Sequence, residues 1–242
     1  MDKVVAVIPA RLGSIRFARK VLHVHRGHPL IYYAWSQAAK ARLVDRLYIA
    51  TDSLEIARSA EAFGAEVIMT SRRPKTGTDR VAEAVAGGHD SLVVNIQADC
   101  FGLKASLLDR VINAMKADRS IKYATLARPI RDDRELFNPG VVKVVTNRTG
   151  RALWFSRFPL PYLQHVDNRP RAAQHQFLAH IGVYFFRRPA LDAFARWKRS
   201  PLEIAESLEQ LRILENSGSI VVFKTSANIF SIDTLQDLKK IC

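Results

Sequence analysis

The chain has few of the residues that mark several common protein classes. Only two of its 242 residues are cysteines, Cys100 and Cys242, and their spacing fits neither a metal site nor a redox site. A reducing, cytoplasmic setting is therefore expected. No apolar run approaches the ~20 residues that a membrane span requires, so no transmembrane segment is expected. Because Met1–Lys3 leads directly into a strand-like run, the sequence also predicts no signal peptide.

Glycine is scarce in the first loop, where many nucleotide-binding proteins need it. Val4–Ile8 is a run of apolar residues that predicts a buried strand, and the loop after it contains one glycine, Gly13. This excludes both the G-x-G-x-x-G dinucleotide motif and the P-loop motif. The loop instead carries the cations Arg11, Arg16 and Lys20. A strand followed by a small-residue loop is typical of phosphate-binding sites in α/β proteins, so a nucleotide held by basic side chains is favoured.

Acidic residues are far fewer than basic ones. The chain has 37 Lys and Arg against 23 Asp and Glu, a net charge of +14. A nucleic-acid binder would cluster its cations in a stripe with aromatic platforms, whereas the arginines here are spread along the sequence, so no nucleic-acid partner is expected. An electropositive cleft for anionic substrates and a solvated basic surface both stay open as explanations.

The order of predicted elements indicates the fold class. In the first half, strands are predicted at Val4–Ile8, Arg46–Ala50, Glu66–Met69 and Leu92–Ile96, and helices at Pro29–Ala41, 53–63, Asp79–Ala86 and Ser106–Ala117. This alternation predicts an α/β protein whose largely parallel central sheet carries helices on both faces. The second half predicts a smaller mixed β layer, from strands at Tyr123–Leu126, Val141–Thr146, Ala152–Phe155, His180–Phe186 and Ile220–Phe223. Helices are predicted there at Leu202–Glu215 and Thr234–Ile241, and a loop at Phe158–Arg171.

A series of short motifs runs in a recognisable order along nearly the whole chain. They are Ile8–Ser14, Ala50–Asp52, Met69–Ser71, Gly77–Arg80, Val94–Asp99, Phe137–Pro139, Val142–Val145, Phe155–Arg157, His180–Tyr184, Ser207–Arg212 and Ile232–Thr234. In their residues, order and spacing the chain resembles the 3-deoxy-D-manno-octulosonate (Kdo) cytidylyltransferases, or CMP-Kdo synthetases.

The resemblance implies an activity and an architecture. Members of that family couple CTP to the anomeric hydroxyl of an eight-carbon keto-sugar acid, release pyrophosphate and require Mg²⁺, and their product enters lipopolysaccharide biosynthesis. They are cytoplasmic homodimers with a Rossmann-like nucleotidyltransferase fold. For this chain the resemblance implies one nucleotidyltransferase domain over residues 1–242. Its nucleotide-binding half would be residues 1–120, and its sugar-binding and dimerisation half residues 121–242.

The resemblance also assigns residues to the nucleotide and the metal. The implied catalytic residues are Arg11, Lys20, Asp99 and Asp233, of which the two aspartates would hold Mg²⁺. The implied nucleotide-binding residues are Arg11, Ser14, Arg16, Lys20, Thr78, Asp79, Arg80 and Gln97. Asp99 follows a buried strand, a position at which α/β sheets bind ligands. Asp79 and Asp233 each have an alternative role, because either carboxylate could instead cap a helix.

The sugar acid needs several hydrogen-bond donors and acceptors and at least one cation. The resemblance assigns this pocket to Arg157, His180, Tyr184, Glu209 and Gln210. His180 and Tyr184 are four apart in a predicted strand and so share a face. Glu209 and Gln210, adjacent in a predicted helix, should diverge by about 100° and meet the pocket only at its edge.

The chain departs from the family pattern at three places. Its first loop reads Arg16–Leu22 without the usual Pro-Gly before the lysine, Cys100-Phe101 replaces Glu-Pro after Asp99, and Ala179 replaces an arginine before His180. Two alternatives to Kdo cytidylyltransfer therefore stay open. One is the same reaction on another ulosonic acid, and the other is a catalytically impaired nucleotide-binding paralogue.

Overall fold

The computed structural model describes residues 2–13, 19–232 and 237–238. Its strands are β1 (Val4–Ala10), β2 (Val24–His25), β3 (His28–Pro29), β4 (Arg46–Thr51), β5 (Glu66–Met69), β6 (Leu92–Ile96), β7 (Cys100–Phe101), β8 (Tyr123–Pro129), β9 (Lys143–Thr146), β10 (Ala152–Ser156), β11 (Leu178–Arg187), β12 (Ile220–Lys224) and β13 (Phe230–Ser231). Its α-helices are α1 (Leu30–Ala38), α2 (Leu54–Glu61), α3 (Gly77–Ala84), α4 (Ala105–Ala117), α5 (Asp133–Phe137), α6 (Arg171–Gln174), α7 (Arg188–Arg196), α8 (Pro201–Glu206) and α9 (Leu211–Glu215).

A nine-stranded sheet runs through both halves of the chain. Its order is β10-β9-β11-β6-β1-β4-β5, and β8 joins it by pairing with β11 and β12. Strands β6, β1, β4 and β5 are parallel neighbours, whereas β11 is antiparallel to both β6 and β8. The predicted α/β class with helix-covered parallel strands is confirmed. The second-half strands extend this same sheet with mixed pairing, and the two small sheets β2-β3 and β7-β13 lie apart from it.

The central strand β1 shows why the sheet is covered on both faces. Its alternate residues Val4, Ala6 and Ile8 pack in one cluster with α1, α2 and α4. Val5 and Val7 pack in the opposite cluster with α3, α7 and α9. Side chains of a strand alternate between faces, so an uninterrupted apolar run requires a helical layer on each side. Full burial stabilises each of these valines by roughly 1.5–3 kcal/mol.

Two second-half predictions need correction. The single helix predicted over Leu202–Glu215 is broken into α8 and α9, because Ser207 adopts a left-handed conformation with φ 52°. A helix cannot continue through such a residue. Helix α7, with Ala190, Leu191 and Phe194 buried, was not predicted. The helix predicted at Thr234–Ile241 lies outside the described residues apart from 237 and 238. In the described part of the chain, every helix is too short or too polar to cross a bilayer.

Candidate active site

Side chains from the first loop meet those that follow β6 at one edge of the sheet. Strands β1 and β6 are adjacent and parallel, with Val7 paired to Asn95, so both end at this edge. Arg11 leaves β1 with its side chain exposed, and Gln97 and Asp99 follow β6. The carboxyl edge of a parallel sheet is where α/β proteins bind ligands, and the topology alone places these groups there.

Lys20 and Asp99 form the charged pair of this edge. Lys20 Nζ lies 2.5 Å from Asp99 Oδ2, and the side chains are 12% and 16% exposed. The chain near the C-terminus reaches the same aspartate, because the Ile232 N–H donates to the Asp99 carbonyl at 3.2 Å and Ser231 pairs with Cys100. Burial raises the pKa of the Cys100 thiol, which therefore stays protonated.

The N-terminus of α3 carries a polar network. Thr76 caps the helix by accepting from the Asp79 N–H at 3.1 Å, and the Asp79 carboxylate accepts from the Thr76 N–H in return. The Thr78 N–H donates to Glu209 Oε2 at 3.1 Å, and the buried Thr78 hydroxyl accepts from Asn95 at 2.9 Å. Burial raises the pKa of Glu209, and the Thr78 N–H opposes that rise. The network thus joins the predicted nucleotide helix to a predicted sugar-binding residue.

Two members of the predicted nucleotide set have structural partners. Asp79 completes the capping box of α3 and also accepts from Arg212 Nη1 at 2.9 Å. Arg80 is only 4% exposed. Its guanidinium donates to the Thr70 hydroxyl and to the Ser71 carbonyl, and it lies 3.4 Å from an Asp52 oxygen. Arg80 therefore binds together the loops that follow β4 and β5, and its role toward a nucleotide stays a prediction.

A glycine in β11 makes room for Gln97. A Cβ on Gly182 would lie 2.7 Å from Gln97 Nε2 and 2.8 Å from its Cδ. The strand is irregular here, since pairing with β8 shifts between Ile181 and Tyr184. Any side chain at residue 182 would displace the Gln97 amide, so this glycine leaves the space that the amide occupies.

His180 is held as a neutral imidazole. Its Nε2 lies 2.9 Å from the Thr125 hydroxyl oxygen, which also lies 2.8 Å from the Val183 carbonyl oxygen. If the Thr125 hydroxyl donates to that carbonyl, the matching tautomer carries its proton on Nε2, which then donates to Thr125. Burial lowers the His180 pKa to about 3, so the ring carries no charge near neutral pH.

Tyr184 and Gln210 form a buried hydrogen-bonded pair beside His180. The Tyr184 hydroxyl donates to Gln210 Oε1 at 2.9 Å, and the Gln210 Nε2 is buried without a protein partner among the described residues. The His180 and Tyr184 ring centroids are 5.4 Å apart, as expected for two residues sharing a face. Burial raises the Tyr184 pKa, which keeps the hydroxyl protonated. Because the helix breaks at Ser207, Gln210 reaches Tyr184 while its neighbour Glu209 reaches α3.

Arg157 is placed by the end of α8. Its guanidinium donates to the carbonyls of Glu206 at 2.8 Å and Pro139 at 2.9 Å, and to that of Ser207 at 3.3 Å. A guanidinium has five N–H donors, so these three contacts leave capacity for an anionic ligand. The same contacts hold the Ser207 turn from which Glu209 and Gln210 project.

Comparisons with known proteins agree with this architecture. A model of the cytidylyltransferase family matches residues 5–225. The 3-deoxy-manno-octulosonate cytidylyltransferases of Geobacter metallireducens and Chlorobium phaeobacteroides are 41% and 40% identical, over 99% of this chain and 96% of each relative. The chain belongs to the 3-deoxy-manno-octulosonate cytidylyltransferase family. The family predicted from the motifs is thereby confirmed.

Solved structures support the same fold assignment. A CMP:2-keto-3-deoxy-manno-octonic acid synthetase complexed with CTP matches with a TM-score of 0.89 and 33% identity, over 99% of this chain and 96% of that one. A cytidylyltransferase from Leptospira borgpetersenii matches with a TM-score of 0.65 and 13% identity, over 100% of this chain and 85% of that one. The second likeness shows a shared fold.

The structure brings most of the predicted site residues into one region and leaves three undescribed. Thr78, Gln97, Asp99, His180, Tyr184, Glu209 and Gln210 are linked by the contacts above to β6, β11 and the start of α3. Ser14, Arg16 and Asp233 lie outside the described residues. Within the described ranges, no group of three or more His, Cys, Asp or Glu side chains is arranged to hold a metal ion.

The sequence analysis did not identify two buried cations, Arg212 and Lys143, that bind protein groups next to the site. Arg212, 1% exposed, donates to both Glu203 carboxylate oxygens at 2.7 and 2.8 Å, and stacks 4.1 Å from the Phe194 ring centroid. Lys143, fully buried, donates to the carbonyls of Asn138 and Val141. Arg212 ends the motif Ser207–Arg212 and Lys143 lies in the motif Val142–Val145, but a sequence does not show that a cation is buried.

Proposed function

We propose that this chain transfers a cytidylyl group from CTP to the anomeric hydroxyl of 3-deoxy-D-manno-octulosonate, giving CMP-Kdo and pyrophosphate. The observation that carries the proposal is the meeting of distant family motifs. The motif at residue 78 contacts Glu209, the motif at residue 180 contacts Gln210 through Tyr184, and the Gln97 amide lies against Gly182. The full-length likeness to named Kdo cytidylyltransferases supports the choice of substrates.

The first-loop cations would bind the triphosphate. Negative charge builds on the α-phosphoryl oxygens and on the departing pyrophosphate as the sugar hydroxyl attacks in line. Cations fixed beside these oxygens lower the barrier by positioning and electrostatics, because phosphoryl transfer needs little covalent chemistry from a protein. Arg11 and Lys20 are the described candidates, and Arg16 belongs to the same proposal.

Specificity for the base and for the sugar acid would come from hydrogen-bonding side chains together with Arg157. Gln97, positioned over Gly182, can hydrogen-bond to the cytosine edge or to a sugar hydroxyl. The Gln210 amide, which has no protein partner among the described residues, can donate to the sugar acid, the Tyr184 hydroxyl oxygen can accept from it, and Arg157 can pair with its carboxylate. A neutral His180 suits a polyhydroxylated ligand, because it can accept a hydrogen bond at Nδ1 while Nε2 remains bound to Thr125.

We propose Mg²⁺ as the cofactor, held by Asp99 and Asp233. The donor chemistry fits, because Mg²⁺ in proteins is usually bound by one or two carboxylates together with substrate phosphates. Asp99 offers a partly exposed carboxylate whose partner here is a lysine, itself a phosphate-binding type of residue. When bound, the ion would neutralise phosphate charge and increase the acidity of the attacking hydroxyl.

A homodimer and a role in lipopolysaccharide biosynthesis complete the proposal. The second-half face around β10 is the candidate interface, since β10 ends the sheet order and carries Leu153 with 59% exposure. Phe158 and Tyr162 in the following loop are 75% and 76% exposed. Aromatic side chains exposed beside an edge strand are typical of protein interfaces. The division into halves 1–120 and 121–242 and a cytoplasmic location belong to the same proposal.

Pyrophosphate release tests the reaction. The purified chain is incubated with CTP, Mg²⁺ and Kdo, and in parallel with other ulosonic acids and with ATP, GTP or UTP in place of CTP. We expect rapid release only with CTP and Kdo. Turnover of another ulosonic acid with none of Kdo would overturn the proposed substrate. Tight CTP binding without turnover of any sugar acid would instead identify a catalytically impaired paralogue.

A further inference from the structure

Two basic stretches that are far apart in the sequence face each other across one cleft. The first, Arg72–Lys75, precedes α3, and the second, Arg196–Arg199, ends α7 and includes Trp197. Helices α3 and α7 pack against each other on the same face of the sheet. The sequence shows only a spread of cations, whereas the fold gathers these two runs.

The cleft between the two stretches is large enough for a small molecule and lies open to solvent. Its volume is about 610 Å³, within the range usual for ligand pockets. Its walls include Arg73, Lys75, Arg196 and Arg199, and the small side chains Ala82, Ala86 and Ala195 line it along α3 and α7, with Trp197 beside them. Asp79 of the predicted nucleotide set lines the cleft, but its carboxylate is bound to the Thr76 N–H and to Arg212, and Gln97, Asp99, His180, Tyr184 and Gln210 are not among the lining residues, so the cleft adjoins the candidate active site without sharing its free polar groups.

The charge available in this cleft is positive. Of its three carboxylates, Asp79 is bound to Arg212, and Glu83 accepts from the Ser71 N–H and hydroxyl. Only Asp192 is uncommitted within the described residues. The side chains of Arg73, Lys75 and Arg196 have no hydrogen-bond or ion-pair partner in that same part of the chain. Unpaired cations around a concave surface attract a polyanion.

We propose that this α3–α7 cleft binds a nucleoside polyphosphate at a second site, separate from catalysis. The guanidinium and ammonium groups of Arg73, Lys75 and Arg196 would bind the phosphates, and Trp197, partly exposed, would stack on the base. The alanines allow a planar ring to approach the wall closely. A membrane or a protein surface is a poorer match, because the charges line a concavity and flank an aromatic ring.

Titration calorimetry with ATP and with inorganic tripolyphosphate tests the site. We expect Arg196→Glu to weaken ATP binding about tenfold or more, equivalent to about 1.4 kcal/mol. Arg148→Glu makes the same charge change at an exposed position in the turn after β9 and should leave ATP binding unchanged. Trp197→Ala should weaken ATP binding while tripolyphosphate binding is kept. CTP turnover without ATP should be unchanged in Arg196→Glu, which separates this site from the proposed reaction.

Three results would overturn the proposal. The first is no ATP binding by the unmodified protein, and the second is an equal loss in Arg148→Glu and Arg196→Glu, since that reports only net charge. The third is binding of a 12-nucleotide single-stranded RNA more than tenfold tighter than ATP, because the occupant would then be a polymer. These experiments measure ATP binding, so a failure of the CTP turnover assay would overturn the proposed function without deciding whether this second site exists.

Discussion

The two halves of the candidate site hold their charged groups in opposite ways. On the first-half side, Arg11 is exposed and Lys20 and Asp99 lie partly open at the ends of parallel strands. On the second-half side, Lys143 and Arg157 donate to backbone carbonyls, and His180 and Tyr184 are kept neutral by burial. The difference indicates a division of labour. Under the proposed function, the first-half groups would exchange partners with the triphosphate as its charge changes, whereas the second-half groups would form a fixed pocket for a polyhydroxylated sugar acid.

The largest expected effect comes from the buried ion pair between Glu203 and Arg212, whose guanidinium also donates to Asp79 of the first half. Arg212→Met should lower the free energy of unfolding by up to about 3–5 kcal/mol, because Glu203, 1% exposed, would lose its bidentate partner and keep only the partly exposed Arg199 as a cation. Chemical denaturation measures the loss. The double variant Glu203→Met with Arg212→Met removes both charges and should recover part of it. Equal stability of the single and double variants would mean that the Glu203 carboxylate is still compensated without Arg212, for example by Arg199.

Asp99→Asn tests the first-half side of the comparison. The substitution keeps the shape of the side chain but removes its charge, and we expect kcat to fall about 100- to 1,000-fold while the melting temperature stays close to that of the unmodified protein. Pyrophosphate release and a thermal scan measure the two effects. Glu61→Gln, an exposed carboxylate on α2, is the matched control and should change neither. A large fall in melting temperature would instead show that Asp99 is a structural residue.

Tyr184→Phe tests the fixed pocket. It removes the donor to Gln210 and should cost about 1–3 kcal/mol of stability, with a raised KM for the sugar acid and an unchanged KM for CTP. The control is Tyr123→Phe, another buried tyrosine, whose hydroxyl makes only a 3.4 Å contact with the Ala190 carbonyl. The control should lose less stability and keep both KM values. If the KM for CTP rises as well, the two subsites are not separate.

The smallest effect concerns the buried ammonium of Lys143. Burial, reinforced by nearby Arg157, lowers its pKa from 10.5 to about 8. The unfolded chain therefore binds more protons than the folded chain between these values, and stability should rise with pH. Relative to Lys143→Met, the unmodified protein should gain about 1 kcal/mol of unfolding free energy between pH 8 and pH 9. Denaturation curves at both pH values measure this, and a constant difference would mean that the ammonium is solvated.

Local patterns predicted those parts of the fold that depend on burial alone. The strands Glu66–Met69 and Leu92–Ile96 have the predicted bounds. A short apolar run in the sequence indicates directly which strand residues are packed against helices. The helix break at Ser207 was beyond such patterns, because Leu202–Glu215 contains neither glycine nor an internal proline. What holds the break is tertiary, namely Arg157 on the Ser207 carbonyl and Tyr184 on Gln210.

The candidate site was likewise predictable only in part. The motifs identified the family and so the candidate residues, but not which carboxylates and cations have structural partners. Asp79 and Arg80 have the residue types expected for a nucleotide site, and the capping role of Asp79 is local, but the Arg212 contact of Asp79 and the contacts of Arg80 with Thr70 and Asp52 depend on the tertiary fold. Helix α7 could have been found from the spacing of Ala190, Leu191 and Phe194. The basic cleft could not, because its two walls are more than a hundred residues apart in sequence.

The position of β11 constrains how the protein is made. This strand closes the second edge of β6, but the ribosome synthesises it long after β6 has emerged. Until then the nascent chain exposes an apolar, unpaired strand at what will become the middle of its sheet, the kind of edge that pairs with other chains. A fragment that stops before residue 178 should therefore aggregate, and productive folding must wait for most of the polypeptide.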